Sequence, residues 1–278
     1  MTIADALYAA QQTLRDTGIE DADLEAEVLL RHALGLQRHQ LFARLHEEID
    51  ESASRRFDAL LQRRLAHEPT AYIVSHREFY AIDLEMTPAA LIPRPETELL
   101  VDEAIRLTPA GASIVDIGTG SGAIAIALAL HLPDAIIYAI DESSDALALA
   151  ARNAERHGVT GRIRFLQGDL FAPLPEAVDV IVANLPYVPT SEWESLPAEI
   201  REHEPRQALD GGPTGTLVLE RFLRESPRYL RPGGRLLAEI GWDEGERLRA
   251  IASECFPQAR IAIEKDLAGL DRLLVVES

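Results

Sequence analysis

The spacing of apolar residues changes near residue 75, and the change separates two kinds of structure. Before that point apolar side chains recur every three or four positions, which predicts helices over Asp23–Leu34 and Ser52–His67. Pro69 is expected to end the second of these. No strand alternation interrupts this part, so residues 1–75 are expected to form a small helical bundle.

From Tyr72 to Met86 the pattern changes to short alternating runs. Tyr72 and Val74, followed by the run Phe79–Leu84, predict short strands that form a β-hairpin. We therefore expect residues 76–92 to be a hairpin connector between two domains. Prolines then mark a loop, after which a helix is expected to begin near Glu96.

After Gly111 short apolar runs alternate with amphipathic segments. The predicted strands are Ser113–Ile117, Ala135–Ile140, Arg162–Leu166, Val178–Ala183, Arg235–Ile240, Ala259–Ile263 and Arg272–Val276. The predicted helices are Gly122–Leu132, Asp145–His157, Thr216–Tyr229 and Glu244–Cys255. This alternation predicts a Rossmann-like α/β domain over residues 93–278, with a mainly parallel sheet covered on both faces. Such sheets bind ligands beyond the carboxyl ends of their strands, where the strand order switches.

Composition and charge narrow the function classes. The apolar fraction of 47% and charged fraction of 26% are typical of a globular protein. The net charge of −19 argues against nucleic acid as a direct substrate, because sequence-independent binding requires clustered cations. No bilayer-length apolar run or signal-peptide pattern is present, and Cys255 is the only cysteine. A cytoplasmic protein without membrane association is expected, and the eight histidines show no metal-ligand spacing.

A glycine-rich turn follows the first predicted strand, in the run Asp116–Gly122. Glycines at a strand–helix turn let the backbone approach a ligand closely. The same run with Ala123 also fits a dinucleotide-binding pattern, and a purely structural tight turn is a further alternative. We favour a cofactor loop, with contacts from Gly118, Thr119, Gly120, Ser121 and Gly122.

Two acidic residues stand where the next strands end. Asp141 can accept hydrogen bonds from both ribose hydroxyls of a nucleoside ligand, since residues 143–145 are better candidates to cap the following helix. Asp169 can accept from an adenine amino group, while Leu170 and Phe171 can provide an apolar wall. The alternative for Asp169 is an ordinary turn residue.

The sharpest motif is Asn184-Leu185-Pro186-Tyr187, which follows the fourth predicted strand. A planar –NH2 group has two donors and needs two acceptors in one plane. Asn184 offers its side-chain oxygen and Leu185 its backbone carbonyl, while Pro186 stiffens the turn and Tyr187 can stack on a flat group. The motif predicts transfer of a group to a planar nitrogen, with Asn184, Pro186 and Tyr187 as catalytic residues.

With these motifs the chain resembles the release-factor glutamine methyltransferases of the HemK/PrmC type. The resemblance extends over nearly the whole chain and rests on the N-terminal helices and on Leu91–Glu98, Asp116–Gly122, Asn184–Tyr187, Glu204–Gly212, Glu239–Gly241 and Asp266–Arg272. It implies N5-methylation of the glutamine in the Gly-Gly-Gln motif of peptide-chain release factors, with S-adenosylmethionine as cofactor.

The resemblance also implies a seven-stranded methyltransferase sheet whose last strand is antiparallel. The N-terminal helical domain would help to dock the release factor. Independently of the resemblance, we expect a monomer. Cofactor contacts are implied for Gly118–Gly122, Asp141, Asp169, Leu170 and Asn184. Contacts to the substrate glutamine are implied for residues 184–187.

One departure from the family pattern keeps alternatives open. The family usually has Asn-Pro-Pro-Tyr, whereas this chain has Leu185 at the second position. Asn-Leu-Pro-Tyr also looks like the motif of adenine dimethylases that act on ribosomal RNA. The alternatives are therefore an adenine N6-methyltransferase on RNA or DNA, a ribosomal-protein glutamine methyltransferase, a nicotinamide dehydrogenase, and a non-catalytic module that binds a release factor. In the Glu204–Gly212 segment, Glu204 is either a functional residue or an exposed acid.

Overall fold

The computed structural model describes residues 1–278 and divides into two compact units. The first unit comprises Met1–Ser75 together with Pro197–His203, and the second comprises His76–Leu196 together with Glu204–Ser278. Residues 76–92, which the sequence suggested as a connector, lie within the second unit. The first unit also includes a segment that is distant in sequence.

Helices and strands cover most of both units. The helices are α1 (Ile3–Asp16), α2 (Ala22–Leu34), α3 (Arg38–Ala43), α4 (Glu51–Leu65), α5 (Thr70–Ile73), α6 (Glu98–Leu107), α7 (Ala123–His131), α8 (Ser144–Arg156), α9 (Ala198–His203), α10 (Leu217–Glu225) and α11 (Gly245–Cys255). The strands are β1 (His76–Phe79), β2 (Ile82–Glu85), β3 (Ser113–Ile117), β4 (Ile136–Asp141), β5 (Ile163–Gln167), β6 (Val178–Asn184), β7 (Leu230–Glu239), β8 (Arg260–Lys265) and β9 (Asp271–Glu277). None of the helices combines the length and apolar character needed to cross a bilayer.

The first unit is a helical bundle, as the apolar spacing predicts. Its core is formed by the apolar faces of α1, α2 and α4, and includes the fully buried Leu14, Leu29 and Leu30. Thr2 and Asp5 form a capping box, in which the Thr2 Oγ1 accepts from the Asp5 amide at 3.2 Å and the Asp5 carboxylate accepts from the Thr2 amide at 2.9 Å. This pairing fixes the start of α1, because it satisfies amides that have no partner inside the helix.

A buried arginine connects the distant segment to this bundle. The side chain of Arg64 on α4 is only 5% exposed, and it donates to Glu25 Oε2 at 3.0 Å and to Glu199 Oε2 at 2.6 Å. Glu25 lies on α2 and Glu199 on α9. A buried guanidinium requires such carboxylate partners, so these ion pairs tie α9 into the first unit.

The second unit is built on a seven-stranded sheet with strand order β5-β4-β3-β6-β7-β9-β8. All neighbouring pairs are parallel except those of β9, which is antiparallel to both β7 and β8. Because β9 is the last strand, the expected Rossmann-like α/β fold with an antiparallel last strand is confirmed. The central strands are buried on both faces, which explains why β3 and β6 read as continuous apolar runs.

The strand order reverses between β3 and β6. From β3 the chain proceeds outward through β4 and β5, whereas β6 starts the other half of the sheet. Ile117 pairs with Ala183 in the parallel register, so Gly118 and Asn184 leave the sheet side by side. A crevice at this position is where sheets of this kind bind ligands, and it brings the glycine loop and the Asn184–Tyr187 motif together.

Three elements differ clearly from the sequence-based expectation. The strand expected over Arg235–Ile240 begins earlier, at Leu230. Tyr72 and Val74 are expected in a strand, but Thr70–Ile73 is a short helix and the hairpin begins at His76. Residues 71–74 are all buried, so this run has no alternation for a strand to use. The helix expected over Thr216–Tyr229 ends at Glu225, and a 3-10 turn at Ser226–Arg228 follows. Pro227 lacks the N–H that would continue an α-helix.

Candidate active site

A cavity of about 300 Å³ opens at the carboxyl ends of β3 and β6. This volume is within the range of small-ligand and cofactor pockets. Its walls include most of the residues singled out from the sequence, namely Gly118, Thr119, Gly120, Ser121, Asp141, Asp169, Leu170, Asn184, Leu185 and Pro186. Gly122 and Tyr187 are not among the residues that line the cavity.

The glycine loop requires residues without a Cβ at two close approaches. Gly118 has φ +74°, and a Cβ there would lie 3.1 Å from the Leu185 Cδ2. Gly122 has φ +83°, and a Cβ there would lie 3.0 Å from the Ala150 Cβ. The first glycine lets the loop pass against the Asn184–Tyr187 motif, and the second brings α7 close to α8.

Asp116 lies beneath the loop and is fully buried. Burial raises the pKa of Asp116 to about 7, although the hydrogen bond from Thr119 favours the charged form. The Thr119 Oγ1 donates to the Asp116 Oδ2 at 2.6 Å. This contact holds Thr119 in place, and the residues on either side of it, Gly118 and Gly120, line the cavity.

Asp141 holds the loop from the neighbouring strand. Its Oδ2 accepts from the Gly120 amide at 2.9 Å, and its Oδ1 accepts from the Ser143 amide at 2.9 Å. Ser143 itself caps α8, because its side chain accepts from the Ala146 amide at 3.2 Å. Each oxygen of Asp141 retains a second lone pair, which can accept from one hydroxyl of a ribose.

The cavity is lined by more acidic than basic groups. The acidic residues are Asp141, Glu142 and Asp169, the basic residues are Arg94 and Arg221, and Arg221 forms an ion pair with Asp169. Burial raises the pKa of Glu142, and a hydrogen bond with Asp169 adds to this effect. An excess of carboxylates favours a ligand with net positive charge, and S-adenosylmethionine carries one sulfonium, one ammonium and one carboxylate. The apolar Leu170 beside these acids suits a nucleobase face.

The Asn184–Tyr187 motif is anchored by Thr97 and Glu239, which belong to two of the segments that carry the family resemblance but for which the sequence predicts no individual role. Asn184 Nδ2 donates to the Thr97 Oγ1 at 3.1 Å, and Thr97 donates to the Glu239 Oε2 at 2.6 Å. The Tyr187 hydroxyl donates to the Glu239 Oε1 at 3.1 Å. Burial raises the pKa of Tyr187, and the nearby charge of Glu239 raises it further. Both ends of the motif are therefore held by one buried carboxylate.

Glu204 is buried rather than exposed, which corrects one alternative drawn from the sequence. It is 5% exposed and accepts from the Ile92 amide at 3.1 Å, and it forms an ion pair with Arg94. Farther along the same segment, the Val188 amide donates to Leu209 O at 2.8 Å. The Glu204–Gly212 segment is thus held against the connector at one end and against the chain after Tyr187 at the other.

Solved structures with the same fold are mostly methyltransferases. A methyltransferase from Pyrococcus furiosus is 16% identical, with a TM-score of 0.55, and the match covers 81% of this chain and 98% of that one. The ribosomal protein L11 methylase from Lactobacillus delbrueckii subsp. bulgaricus is 20% identical, with a TM-score of 0.50, and the match covers 69% and 83% of the two chains. At these identities the similarity shows the fold alone.

Family models and curated relatives go further. Residues 5–74 match the PrmC N-terminal domain, and residues 109–269 match a methyltransferase domain. This second match favours S-adenosylmethionine over a nicotinamide cofactor as the ligand of the glycine loop. The release factor glutamine methyltransferase of Moorella thermoacetica is 44% identical over 98% of this chain and 97% of its own length. That of Geobacter sulfurreducens is 40% identical over 98% and 95%. The chain therefore belongs to the family of release factor glutamine methyltransferases.

Proposed function

We propose that this chain methylates the side-chain amide nitrogen, N5, of the glutamine in the Gly-Gly-Gln motif of a peptide-chain release factor. The single observation that carries the proposal is the position of Asn184. It leaves β6 beside Gly118 and lines the cavity that the glycine loop also lines. An amide acceptor at this point can hold a planar –NH2 group next to the methyl donor.

The cofactor would be held by the walls already described. The backbone of Gly118–Gly122 would run along its amino-acid part, Asp141 would accept from the ribose hydroxyls, and Asp169 and Leu170 would contact the adenine. Asn184 would border the methyl group. When bound, S-adenosylmethionine supplies an electrophilic methyl group on a sulfonium and leaves as the neutral thioether S-adenosylhomocysteine.

The residues of the motif would orient the substrate nitrogen. Asn184 Oδ1 and the Leu185 carbonyl would each accept one N–H of the glutamine amide, and Pro186 would keep that carbonyl in place. The ring of Tyr187 would lie along the flat amide group. Held in this way, the amide nitrogen would be placed to take up the methyl group that bound S-adenosylmethionine supplies, and it would then give up one proton to solvent.

This arrangement would lower the barrier chiefly by positioning. An amide nitrogen is a weak nucleophile, because its lone pair is delocalised into the carbonyl. Holding it in line with the methyl group supplies several kcal/mol, since well-oriented intramolecular reactions gain roughly 7–11 kcal/mol. The mostly apolar lining of the cavity would also limit the access of water to a bound cofactor.

Transfer of a labelled methyl group to purified release factor tests the proposal. The wild-type enzyme should label a release factor that carries Gly-Gly-Gln and should not label a variant in which that glutamine is alanine. Asn184→Ala should reduce transfer by about 100-fold, as expected for a misplaced reacting group, with cofactor binding largely retained. Label on ribosomal RNA or ribosomal protein instead of the release factor would contradict the proposal.

We further propose that the first unit docks the release factor and that the enzyme works as a cytoplasmic monomer. Several large apolar side chains of this unit are exposed, including Tyr8 at 64%, Leu24 at 52% and Phe42 at 47%. Exposed aromatic residues of this kind are frequent anchors of protein interfaces. The net charge of −19 favours a protein over a nucleic acid as the docking partner.

Steady-state kinetics test the docking role. Tyr8→Ala and Phe42→Ala should raise KM for the release factor while leaving kcat unchanged, because they act on docking and not on the reacting groups. Ile136→Ala is the matched control, since Ile136 is 45% exposed at the amino end of β4, away from the cavity. An equal effect of all three substitutions on KM would contradict the docking role.

A further inference from the structure

A chain of hydrogen bonds runs from the Asn184–Tyr187 motif to Glu239 in the interior of the second unit. Thr97 is 3% exposed and Glu239 is 1% exposed. Thr97 stands between Asn184 and Glu239, with donor–acceptor distances of 3.1 Å to Asn184 Nδ2 and 2.6 Å to Glu239 Oε2. The three residues lie far apart in the sequence and come from the start of α6 and the ends of β6 and β7.

The single hydrogen of the Thr97 hydroxyl determines which group donates in each of these hydrogen bonds. A hydroxyl has one hydrogen, and Thr97 donates it to the carboxylate of Glu239, which can only accept when ionised. Toward Asn184 the hydroxyl can therefore only accept, so the amide atom that faces Thr97 must be the –NH2 nitrogen. The Asn184 Oδ1 atom, the other atom of the amide, therefore points away from Thr97.

The direction of the Thr97 hydrogen bond rests on the contact itself, in which the hydroxyl donates to the Glu239 Oε2. Burial and the charge of Glu96 raise the pKa of Glu239, whereas hydrogen bonds from Thr97 and Tyr187 and the positive charge of Arg272 act in the opposite direction. The same carboxylate accepts from the Tyr187 hydroxyl at 3.1 Å. One buried group thus sets the amide orientation at the first residue of the motif and anchors the ring at its last.

We propose that Thr97 and Glu239 are positioning residues that orient the Asn184 amide, so that the site presents an oxygen acceptor to the substrate –NH2. This inference rests on the proposed function and adds to it the reason why the site selects a group with two N–H donors. With the amide reversed, Asn184 would present its own –NH2 to the substrate –NH2, and two donors would face each other.

The amide orientation has a direct spectroscopic readout that does not depend on catalysis. The chain contains two asparagines, Asn153 and Asn184. Protein labelled with ¹⁵N-asparagine therefore gives two side-chain –NH2 signals. Asn153 is an internal reference, because it is fully buried and its Nδ2 donates to Glu85 O at 3.1 Å and Ser121 O at 2.9 Å.

The experiment compares Thr97→Val, Thr97→Ser and Glu239→Gln with the control Thr108→Val. Valine has the shape of threonine but no hydroxyl, whereas serine keeps it. Thr108 is half-buried, and its hydroxyl donates to Ala104 O at 2.6 Å, away from the motif. We expect solvent exchange of the Asn184 amide to accelerate by up to about 10-fold in Thr97→Val, as for loss of one hydrogen bond of about 1.4 kcal/mol. The effect should be smaller in Glu239→Gln, because the amide oxygen of a glutamine can still accept from Thr97. Asn153 should not change in any variant.

Methyl transfer supplies the second readout. Thr97→Val should lower kcat for the release factor by about 10- to 100-fold, with the cofactor Kd within about twofold of wild type. Thr97→Ser should restore most of kcat, and Thr108→Val should match wild type. An unchanged Asn184 signal in Thr97→Val, or equal losses of kcat in Thr97→Val and Thr97→Ser, would overturn the inference. Failure of the wild-type enzyme to label the release factor would instead refute the proposed function, and the Asn184 signal would still decide the amide orientation.

Discussion

Replacement of Gly122 by alanine tests how the glycine loop is built. The residue has φ +83°, and a Cβ would lie 3.0 Å from the Ala150 Cβ, 3.1 Å from the Ile126 Cδ1 and 3.2 Å from the Ala150 Cα. A left-handed conformation costs an alanine roughly 1–2 kcal/mol. Crowding against a backbone atom and a methyl group, neither of which can rotate away, adds about 1–3 kcal/mol. We therefore expect Gly122→Ala to lower the free energy of unfolding by about 2–5 kcal/mol.

Two other glycines separate the backbone cost from the crowding cost. Gly158 has φ +68° with nothing within 4 Å of its Cβ position, so Gly158→Ala should show only the backbone cost of roughly 1–2 kcal/mol. Gly161 has open space and no positive φ, so Gly161→Ala should be neutral or stabilise by up to about 1 kcal/mol.

Urea unfolding followed by tryptophan fluorescence reports on the second unit, which contains the three glycines, because Trp193 and Trp242 both belong to this unit. The account predicts the largest loss for Gly122→Ala and the smallest for Gly161→Ala. The reasoning would be refuted if Gly122→Ala cost no more than Gly158→Ala, since the close approach of α7 to α8 would then carry no energy.

Three further predictions follow from single side chains. Arg64→Met should lower the free energy of unfolding of the first unit by about 1–3 kcal/mol, measured by calorimetry. This loss is smaller than the loss on breaking a fully buried ion pair, because the two carboxylate partners of Arg64 can regain contact with water. Arg55→Met, whose pair is exposed, should cost far less, and equal costs would contradict this. Asp141→Asn should weaken cofactor binding about 10- to 100-fold in a calorimetric titration, and an unchanged Kd would remove its ribose role. The pKa of Asp116 is raised from 3.8 to about 7 in the folded protein, so the folded state binds the proton more tightly than the unfolded state. The free energy of unfolding therefore falls as the pH rises from 3.8 to about 7. The free energy of unfolding of Asp116→Asn, measured relative to wild type by urea unfolding, should rise across this pH range and stay constant above it. A difference between the two proteins that does not change with pH would refute the raised pKa.

The elements that the sequence predicted best are those with a continuous apolar pattern. β3 has its predicted ends, and β6 extends only one residue beyond them, because buried parallel strands leave long apolar runs. The predicted boundaries were wrong where a single residue or a short buried run departs from the surrounding apolar pattern. Pro227 ended a helix that the apolar spacing continued, and the buried run at Tyr72–Val74 has the composition of a strand although Thr70–Ile73 is helical.

The candidate site was predictable as far as its contiguous motifs. The glycine loop and the Asn184–Tyr187 motif each show their chemistry within a few residues, and the parallel register of β3 and β6 brings them together. Thr97 and Glu239 belong to segments that carry the family resemblance, but their hydrogen bond to each other could not be predicted, because it joins residues that are 142 positions apart. Glu204 was open to an exposed reading for the same reason, since its partner Arg94 is 110 residues away.

Tandem mass spectrometry of the release factor after reaction tests the central claim most directly. The account predicts one added methyl group on the side-chain nitrogen of the glutamine in Gly-Gly-Gln, present with the wild-type enzyme and nearly absent with Asn184→Ala. A methyl group on any other atom or residue of the release factor, or equal methylation by Asn184→Ala, would contradict the account.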